Sequence, residues 1–275
     1  MQTSEKLLDA AIGAAIEAGE AIMQVYTSPE TDWGVERKAD NSPLTLADKK
    51  AHAAIEARLA SLDIPLLSEE GAHEVYETRR CWVQLWVVDP LDGTKEFLKR
   101  NGEFTINIAL VQEGVPVMGV IFVPVSRTLY WGVCREDGSG EACKVAEVPA
   151  GVYSYAEVAG LAHSLPLPAT ERPYTVVASR SHLSPETQEF IDELRTEHPD
   201  LELRSAGSSL KICLVAEGAA DVYPRFAPTM EWDTAAGHAI VRAAGGEVWQ
   251  VEADAPLCYN KTDLLNPWFI VRDRK

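Results

Sequence analysis

The sequence predicts a mixed α/β fold, and three observations carry that expectation. An apolar run at residues 82–88 stops at Asp89-Pro90-Leu91-Asp92-Gly93-Thr94, as a strand buried on both faces does when it meets a turn. Downstream, residues 104–111, 115–123 and 128–134 form strand-like runs separated by short turns, the pattern of an antiparallel meander. Beyond residue 174, strand-like and helix-like segments alternate.

The elements follow in order. Residues 4–26 read as a helix, because Leu8, Ile12, Ile16, Gly19 and Met23 recur at spacings of three and four; Ser28-Pro29 ends it. Val35-Glu36-Arg37-Lys38 reads as a short edge strand. Thr45 opens a second helix to residue 62, with Ala54, Ile55 and Leu59 near one face. Asp48 lies three residues after Thr45, and this spacing favours a capping interaction over a catalytic role. Ile64-Pro65-Leu66-Leu67 is a short strand entering Ser68-Glu69-Glu70-Gly71. Thr94 is expected to cap a helical turn over residues 94–100. Residues 135–140 read as a surface loop, and residues 149–173, rich in Pro, Ala and Gly, as an irregular connection at a subdomain boundary. Strands are then expected at residues 174–178, 201–204, 220–224, 246–251 and 269–271. Between them lie helices opened by Ser184-Pro185, by Gly207-Ser208-Ser209 and by Asp233, the last closed by Gly245-Gly246.

Composition limits the function. Lys and Arg number 25 against 42 Asp and Glu, a formal charge of −17, which disfavours non-specific nucleic-acid binding and docking on anionic lipid. The odd set Cys81, Cys134, Cys143, Cys213 and Cys258, with no CxxC pair, suits free thiols in a reducing compartment. The N-terminus lacks a basic region followed by an apolar core, and no stretch reaches the roughly 20 apolar residues of a membrane helix. A cytoplasmic protein is expected, and peripheral association with the inner membrane stays open.

Pro90 holds Asp89 extended, and Gly93 permits a tight turn. Two carboxylates and a hydroxyl therefore gather at the C-terminal end of what reads as a central strand, where α/β sheets place ligands. Two buried carboxylates so close need a cation, or one must hold a proton. A divalent metal is the reading we favour. Glu69, Asp89, Asp92 and Asp233 each lie at the end of an element and offer the hard oxygens that suit Mg²⁺. Calcium-loop spacing is absent, no His or Cys cluster has zinc spacing, and Asp89-x-x-Asp92 is one residue longer than the Asp-x-Asp of phospho-aspartyl phosphatases. Singly, the other candidates have ordinary readings: Asp233 a cap, His238 a core or surface histidine, Lys211 a surface lysine, and Gly207-Ser208-Ser209 a weak anion signal.

In combination, Asp89-Pro90-Leu91-Asp92-Gly93-Thr94 and Trp232-Asp233-Thr234-Ala235-Ala236-Gly237-His238 resemble the two motifs of the inositol monophosphatase superfamily. Thr45-Leu46-Ala47-Asp48 and Ser68-Glu69-Glu70 stand in the matching order before them. Within the superfamily, the chain resembles the branch of 3'(2'),5'-bisphosphate nucleotidases, in its bacterial sulfate-assimilation form. The residues concerned are 95–105, Lys38-Ala39-Asp40-Asn41-Ser42-Pro43, Ser179-Arg180-Ser181-His182, Gly207-Ser208-Ser209-Leu210-Lys211 and Tyr223-Pro224-Arg225-Phe226.

The resemblance implies a layered α/β/α/β/α sandwich of two subdomains, 1–165 and 166–275. It implies that Glu69, Asp89 and the Leu91 carbonyl hold one Mg²⁺. Asp89, Asp92 and Asp233 would hold a second, with Glu69 reaching a weaker third. Asp48 and Thr94 would position and deprotonate the attacking water, which reverses the local preference for Asp48 as a cap alone. Gly93, Thr94, His182, Gly207, Lys211 and Asp233 would bind substrate, with Arg225 a weaker candidate, and Glu70 would either support the metal ligands from behind or face solvent. The implied reaction is removal of the 3'-phosphate of adenosine 3',5'-bisphosphate by direct attack of water, with 3'-phosphoadenylyl sulfate a related substrate and Li⁺ an inhibitor. The expected partner is thus a small nucleotide bisphosphate, without nucleic acid or an integral membrane segment, and a homo-oligomer is compatible with it. The competing enzyme reading is an inositol monophosphatase or broad sugar phosphatase. The non-enzyme reading is a metal- or nucleotide-binding regulator.

Overall fold

The computed structural model describes residues 4–38, 43–135, 137–178, 184–253 and 255–273. The N-terminal run is α1 (Ser4–Tyr26), β1 (Glu36–Arg37), β2 (Pro43–Leu44), α2 (Leu46–Leu59), β3 (Leu66–Ser68), α3 (Tyr76–Arg79), β4 (Gln84–Asp92) and α4 (Thr94–Leu98). A meander follows: β5 (Thr105–Gln112), β6 (Val115–Val123), β7 (Thr128–Cys134) and β8 (Gly140–Val145), then α5 (Tyr155–Ala159) and β9 (His163–Ser164). The rest is β10 (Thr175–Ala178), α6 (Pro185–Glu197), β11 (Glu202–Ser205), α7 (Leu210–Ala216), β12 (Val222–Arg225), α8 (Glu231–Ala243), β13 (Gly246–Gln250) and β14 (Phe269–Asp273).

Strands β3 to β9 form a 7-stranded sheet in sequence order, parallel only between β3 and β4. Strands β10 to β14 form a 5-stranded sheet in the order β11-β10-β12-β14-β13. Alternation along the strands builds three cores. Trp86, Val88, Ile106, Ile108 and Phe122 pack toward α1 and α2. Their neighbours Leu85, Val87, Ala109 and Ile121 point the other way, onto α7, α8 and the inner face of the second sheet. Val176 and Val222, on the outer face of that sheet, meet Ile191 of α6. The layers are therefore helix, sheet, helix, sheet, helix.

Helix α8 lies deep between the two sheets because glycines stand beneath it at three positions. A Cβ on Gly119 would stand 2.1 Å from the Ala236 carbonyl oxygen; on Gly132, 2.6 Å from the Ile240 Cα; on Gly140, 2.5 Å from the Ala243 Cα. Gly119 and Gly132 are cross-strand partners, so the glycines make a track across β6, β7 and β8.

Some expectations need correction. Strand β4 continues through Pro90 to Asp92, past the expected stop, because a register shift between Asp89 and Asp92 absorbs the proline. It is second from the edge of its sheet, not central. Thr94 is not the N-cap of α4; Gly93 is, at φ 92°. Helix α8 starts at Glu231, so Asp233 lies within its first turn. The stretch 149–173, read as an irregular connection, contains α5 and β9, and β8 begins at the last residue of the expected surface loop. Among the described residues, no helix is long and apolar enough to cross a membrane.

Candidate active site

In a regular strand, residues three apart face opposite sides. The register shift at Pro90 changes this, and Asp89 and Asp92 reach the same point. Asp233 arrives from α8. One carboxylate oxygen from each of Asp89, Asp92 and Asp233 lies within 4.8 Å of the others. Local hydrogen bonds hold two of them: Leu91 N–H donates to Asp89 Oδ1 at 3.0 Å, and Met230 N–H to Asp233 Oδ2 at 2.8 Å. Asp233 thus also caps its own helix.

Repulsion and burial dominate the electrostatics of the cluster. Burial, then repulsion from Glu69, Asp92 and Asp233, raises the Asp89 carboxyl well above the ordinary range. Burial and the charge on Asp92 push Asp233 up to about 8. Like charges gathered out of water favour either a proton or a cation, and three hard oxygen donors fit Mg²⁺.

Glu69 follows β3 and lines the same cleft as Asp89, Leu91, Asp92, Thr94 and Asp233. Its carboxylate accepts from Lys38 Nζ at 2.6 Å, and the same ammonium reaches Glu70 at 2.5 Å. Burial raises the Glu69 carboxyl, while Lys38 works against the rise. Glu70 is therefore an ion-pair partner.

Asp48 serves two neighbours at once. Its Oδ2 accepts from Thr45 N–H at 2.7 Å and from the Thr45 hydroxyl, completing the capping box of α2. Its Oδ1 accepts from the Thr94 hydroxyl at 3.3 Å. The Thr94 hydroxyl also lies 3.4 Å from the Leu91 carbonyl oxygen. Burial pushes Asp48 up to about 6, against the hydrogen bonds from Thr45 that hold it down. A carboxyl near neutrality beside a hydroxyl suits proton transfer.

A second pocket, of about 300 Å³, adjoins the acidic cleft. The two share Asp92, Gly93, Lys95, Glu96, Arg225 and Asp233 as walls. Gly207, Ser208, Lys211 and Tyr223 line the far side. Lys211 is not a surface lysine: it is buried, and its ammonium donates to the carbonyls of Ser208 at 2.6 Å and Ala206 at 3.3 Å. Burial pushes it down to about 8, opposed by Asp92. Gly207 owes its identity to a close approach, since a Cβ there would sit 2.6 Å from the Glu103 carbonyl oxygen. Ser208 Oγ and Arg225 Nε are buried and lack hydrogen-bond partners among the described residues. His182, with Ser179-Arg180-Ser181, and residues 39–42 lie outside the described residues.

Sequence reasoning did not single out Asn107, or Ser209 as an individual side chain. Both are buried at the rim of the acidic cluster and bond to Asp92. The signal for Asn107 was available: an amide in the middle of an apolar strand must find a partner. His238 takes its ordinary role as a buried residue, between Tyr259 Oη at 2.9 Å and Glu247 Oε1 at 2.5 Å.

An acidic cluster formed where a bulged strand end meets the first turn of a buried helix, within a five-layer sandwich, defines a class. The chain belongs to the inositol monophosphatase family, whose model matches residues 3–269. The 3'(2'),5'-bisphosphate nucleotidase CysQ of Escherichia coli (strain K12) is 46% identical over 270 residues, covering 96% of this chain and 99% of that protein. The Haemophilus influenzae protein of the same name is 31% identical over 98% of this chain and 93% of its own. The crystal structure of CysQ from Bacteroides thetaiotaomicron, a bacterial member of the family, matches with a TM-score of 0.88 and 55% identity, covering 99% of this chain and 98% of that one.

Proposed function

We propose that this chain is a metal-dependent 3'(2'),5'-bisphosphate nucleotidase that releases phosphate from adenosine 3',5'-bisphosphate. The juxtaposition of two unlike pockets with common walls carries the reading. One gathers carboxylates that call for cations; the other adds Lys211 and a Ser208 hydroxyl without a partner among the described residues, with Arg225 on the wall they share. A substrate with two phosphates satisfies both, one at the cations and one at the basic groups. A monophosphate leaves the basic groups unmatched, at a cost in selectivity. The nucleotidases similar over nearly the whole chain support the same substrate class.

Glu69, Asp89 and the Leu91 carbonyl would hold one Mg²⁺, and Asp89, Asp92 and Asp233 a second, with Glu69 also reaching a third. The chemistry supplied by bound Mg²⁺ is charge neutralisation on the phosphate and a lower pKa for water. Asp48 accepts a proton through the Thr94 hydroxyl, which orients the attacking water. Gly93 and Thr94 bind the scissile phosphate, and Asp233 adjoins the ribose side. Lys211, Gly207 and Arg225 receive the rest of the nucleotide, with His182 assigned there by motif. On this reading the subdomains are 1–165 and 166–275, and the site lies between them.

A phosphate-release panel tests the assignment. Adenosine 3',5'-bisphosphate is expected to exceed inositol 1-phosphate and fructose 1,6-bisphosphate in kcat/KM by about 10²-fold or more, with EDTA abolishing turnover. Preference for inositol 1-phosphate would establish the monophosphatase reading instead; nucleotide binding without phosphate release would establish the regulator. Hydrolysis in ¹⁸O-water should label the phosphate, with no phospho-enzyme trapped.

Thr94→Ala should lower kcat by roughly 10²-fold or more while Mg²⁺ affinity changes little, since the side chain handles a proton. The reverse pattern in metal titrations and initial rates would make Thr94 a structural group. Arg225→Met should raise KM for the bisphosphate by about tenfold with a smaller change in kcat. An unchanged KM would remove Arg225 from the substrate pocket.

A further inference from the structure

Ser209 and Asn107 join four elements at one point. The Ser209 hydroxyl lies 2.8 Å from Asp92 Oδ2 and 2.8 Å from the Asp233 carbonyl oxygen. Asn107 Nδ2 donates to Ser209 Oγ at 2.9 Å and approaches Asp92 Oδ2 at 3.3 Å. Asn107 is itself fixed, because its Oδ1 accepts from the Thr105 hydroxyl at 3.0 Å. Thr105 and Asn107 stand on β5, Asp92 ends β4, Ser209 precedes α7, and Asp233 lies on α8. All three polar partners are buried: Thr105 at 0%, Asn107 at 1% and Ser209 at 3% exposure.

The chemistry of the donors fixes the direction. Asn107 supplies a proton to the serine oxygen, so the single serine hydrogen is free to point at Asp92 or at the Asp233 carbonyl. Pointed at the Asp233 carbonyl, the hydroxyl ties Ser209 to the first turn of α8 while Asn107 Nδ2 holds Asp92 at the end of β4; pointed at Asp92, it ties Ser209 to β4 alone. Ser209 also closes the loop of residues 206–209, which lines the second pocket. Its neighbour Ser208 sits at φ 43°, with its carbonyl held by Lys211 and its hydroxyl buried without a partner among the described residues. A ligand that engages Ser208 thus pulls on a residue whose next side chain is bonded to Asp92.

We infer that Ser209, oriented by Asn107, is a positioning residue that couples occupancy of the nucleotide pocket to the binding of cations by Asp92 and Asp233. It rests on the metal and nucleotide reading above. Coupling of this kind is reciprocal: nucleotide tightens metal binding, and metal tightens nucleotide binding by the same factor.

The test is calorimetric titration of Mg²⁺ into the full chain, with and without saturating AMP, for the parent, Ser209→Ala and Asn107→Ala. The parent is expected to bind Mg²⁺ more tightly in the presence of AMP. Ser209→Ala should weaken Mg²⁺ binding by roughly ten- to hundredfold and abolish the effect of AMP, as loss of a group that orients a metal ligand does. Asn107→Ala keeps the hydroxyl but strips its orienting donor, and should show a smaller change in the same direction. It carries the test alone should Ser209→Ala fail to fold. Parent-like Mg²⁺ affinity and an intact AMP effect in the variants, even with a lower Tm, would reduce the network to packing and overturn the inference. A parent that binds no Mg²⁺ and releases no phosphate from adenosine 3',5'-bisphosphate sinks the reading of the site itself, and the inference with it.

Discussion

Asp89→Asn is expected to lower kcat/KM by roughly 10³-fold or more at saturating Mg²⁺, while the metal-free variant melts at a higher temperature than the metal-free parent. The two effects have one cause. Asp89 is 1% exposed, and burial together with Glu69, Asp92 and Asp233 disfavours its charge. An asparagine keeps the shape and a carbonyl oxygen able to accept the Leu91 N–H, but needs neither the charge nor the proton that the buried cluster otherwise demands at this position. Without cations that is a gain in stability. With cations it removes the carboxylate proposed to face two of them. Steady-state phosphate release, with melts in EDTA and in Mg²⁺, measures both. Near-parental turnover, or a metal-free variant less stable than the parent, would sink the assignment.

The metal-free protein should lose stability as pH rises from 5 to 8.5, and Mg²⁺ should reverse the trend. Asp48 and Asp233 hold a proton up to about 6 and about 8 in the folded chain, against an ordinary value of 3.8. Between those limits the folded state binds more protons than the unfolded state, so raising the pH favours unfolding. For Asp233 alone the contribution between pH 5 and 8.5 is about 4 kcal/mol at most. Cation binding needs the deprotonated carboxylates, so in excess Mg²⁺ stability should instead grow with pH. Thermal melts at fixed ionic strength check this, and a flat metal-free profile would contradict it.

The sequence carried the parts of this architecture that obey local rules. The bounds of β6 and β7 and the long first helix follow from periodicity and turns, because those segments are apolar and regular. Strand β8 was invisible because Gly140-Glu141-Ala142-Cys143-Lys144-Val145 mixes charge with small residues, and Gly140 is there for the helix above it. The extension of β4 through Pro90 was hidden because a proline normally stops a ladder, and only pairing with β5 reveals the bulge. Asp48 shows why a spacing rule can be right and incomplete: one oxygen caps a helix while the other meets Thr94. The contacts of Ser209 with Asn107, and of Lys38 with Glu69, join distant parts of the chain, and no local pattern announces them.

The glycine track beneath α8 has a mechanical consequence. Its missing side chains let the helix seat against the meander while its other side supports the second sheet, so α8 belongs to both halves of the chain. A cation held as proposed by Asp89 and Asp233 would act as a clasp between β4 and that seat. Loading the clasp should slow amide exchange in β13 and β14, strands that stand apart from the acidic cluster, because they cannot open while the helix they rest on is pinned. Metal occupancy would then be written into the cooperativity of the whole chain.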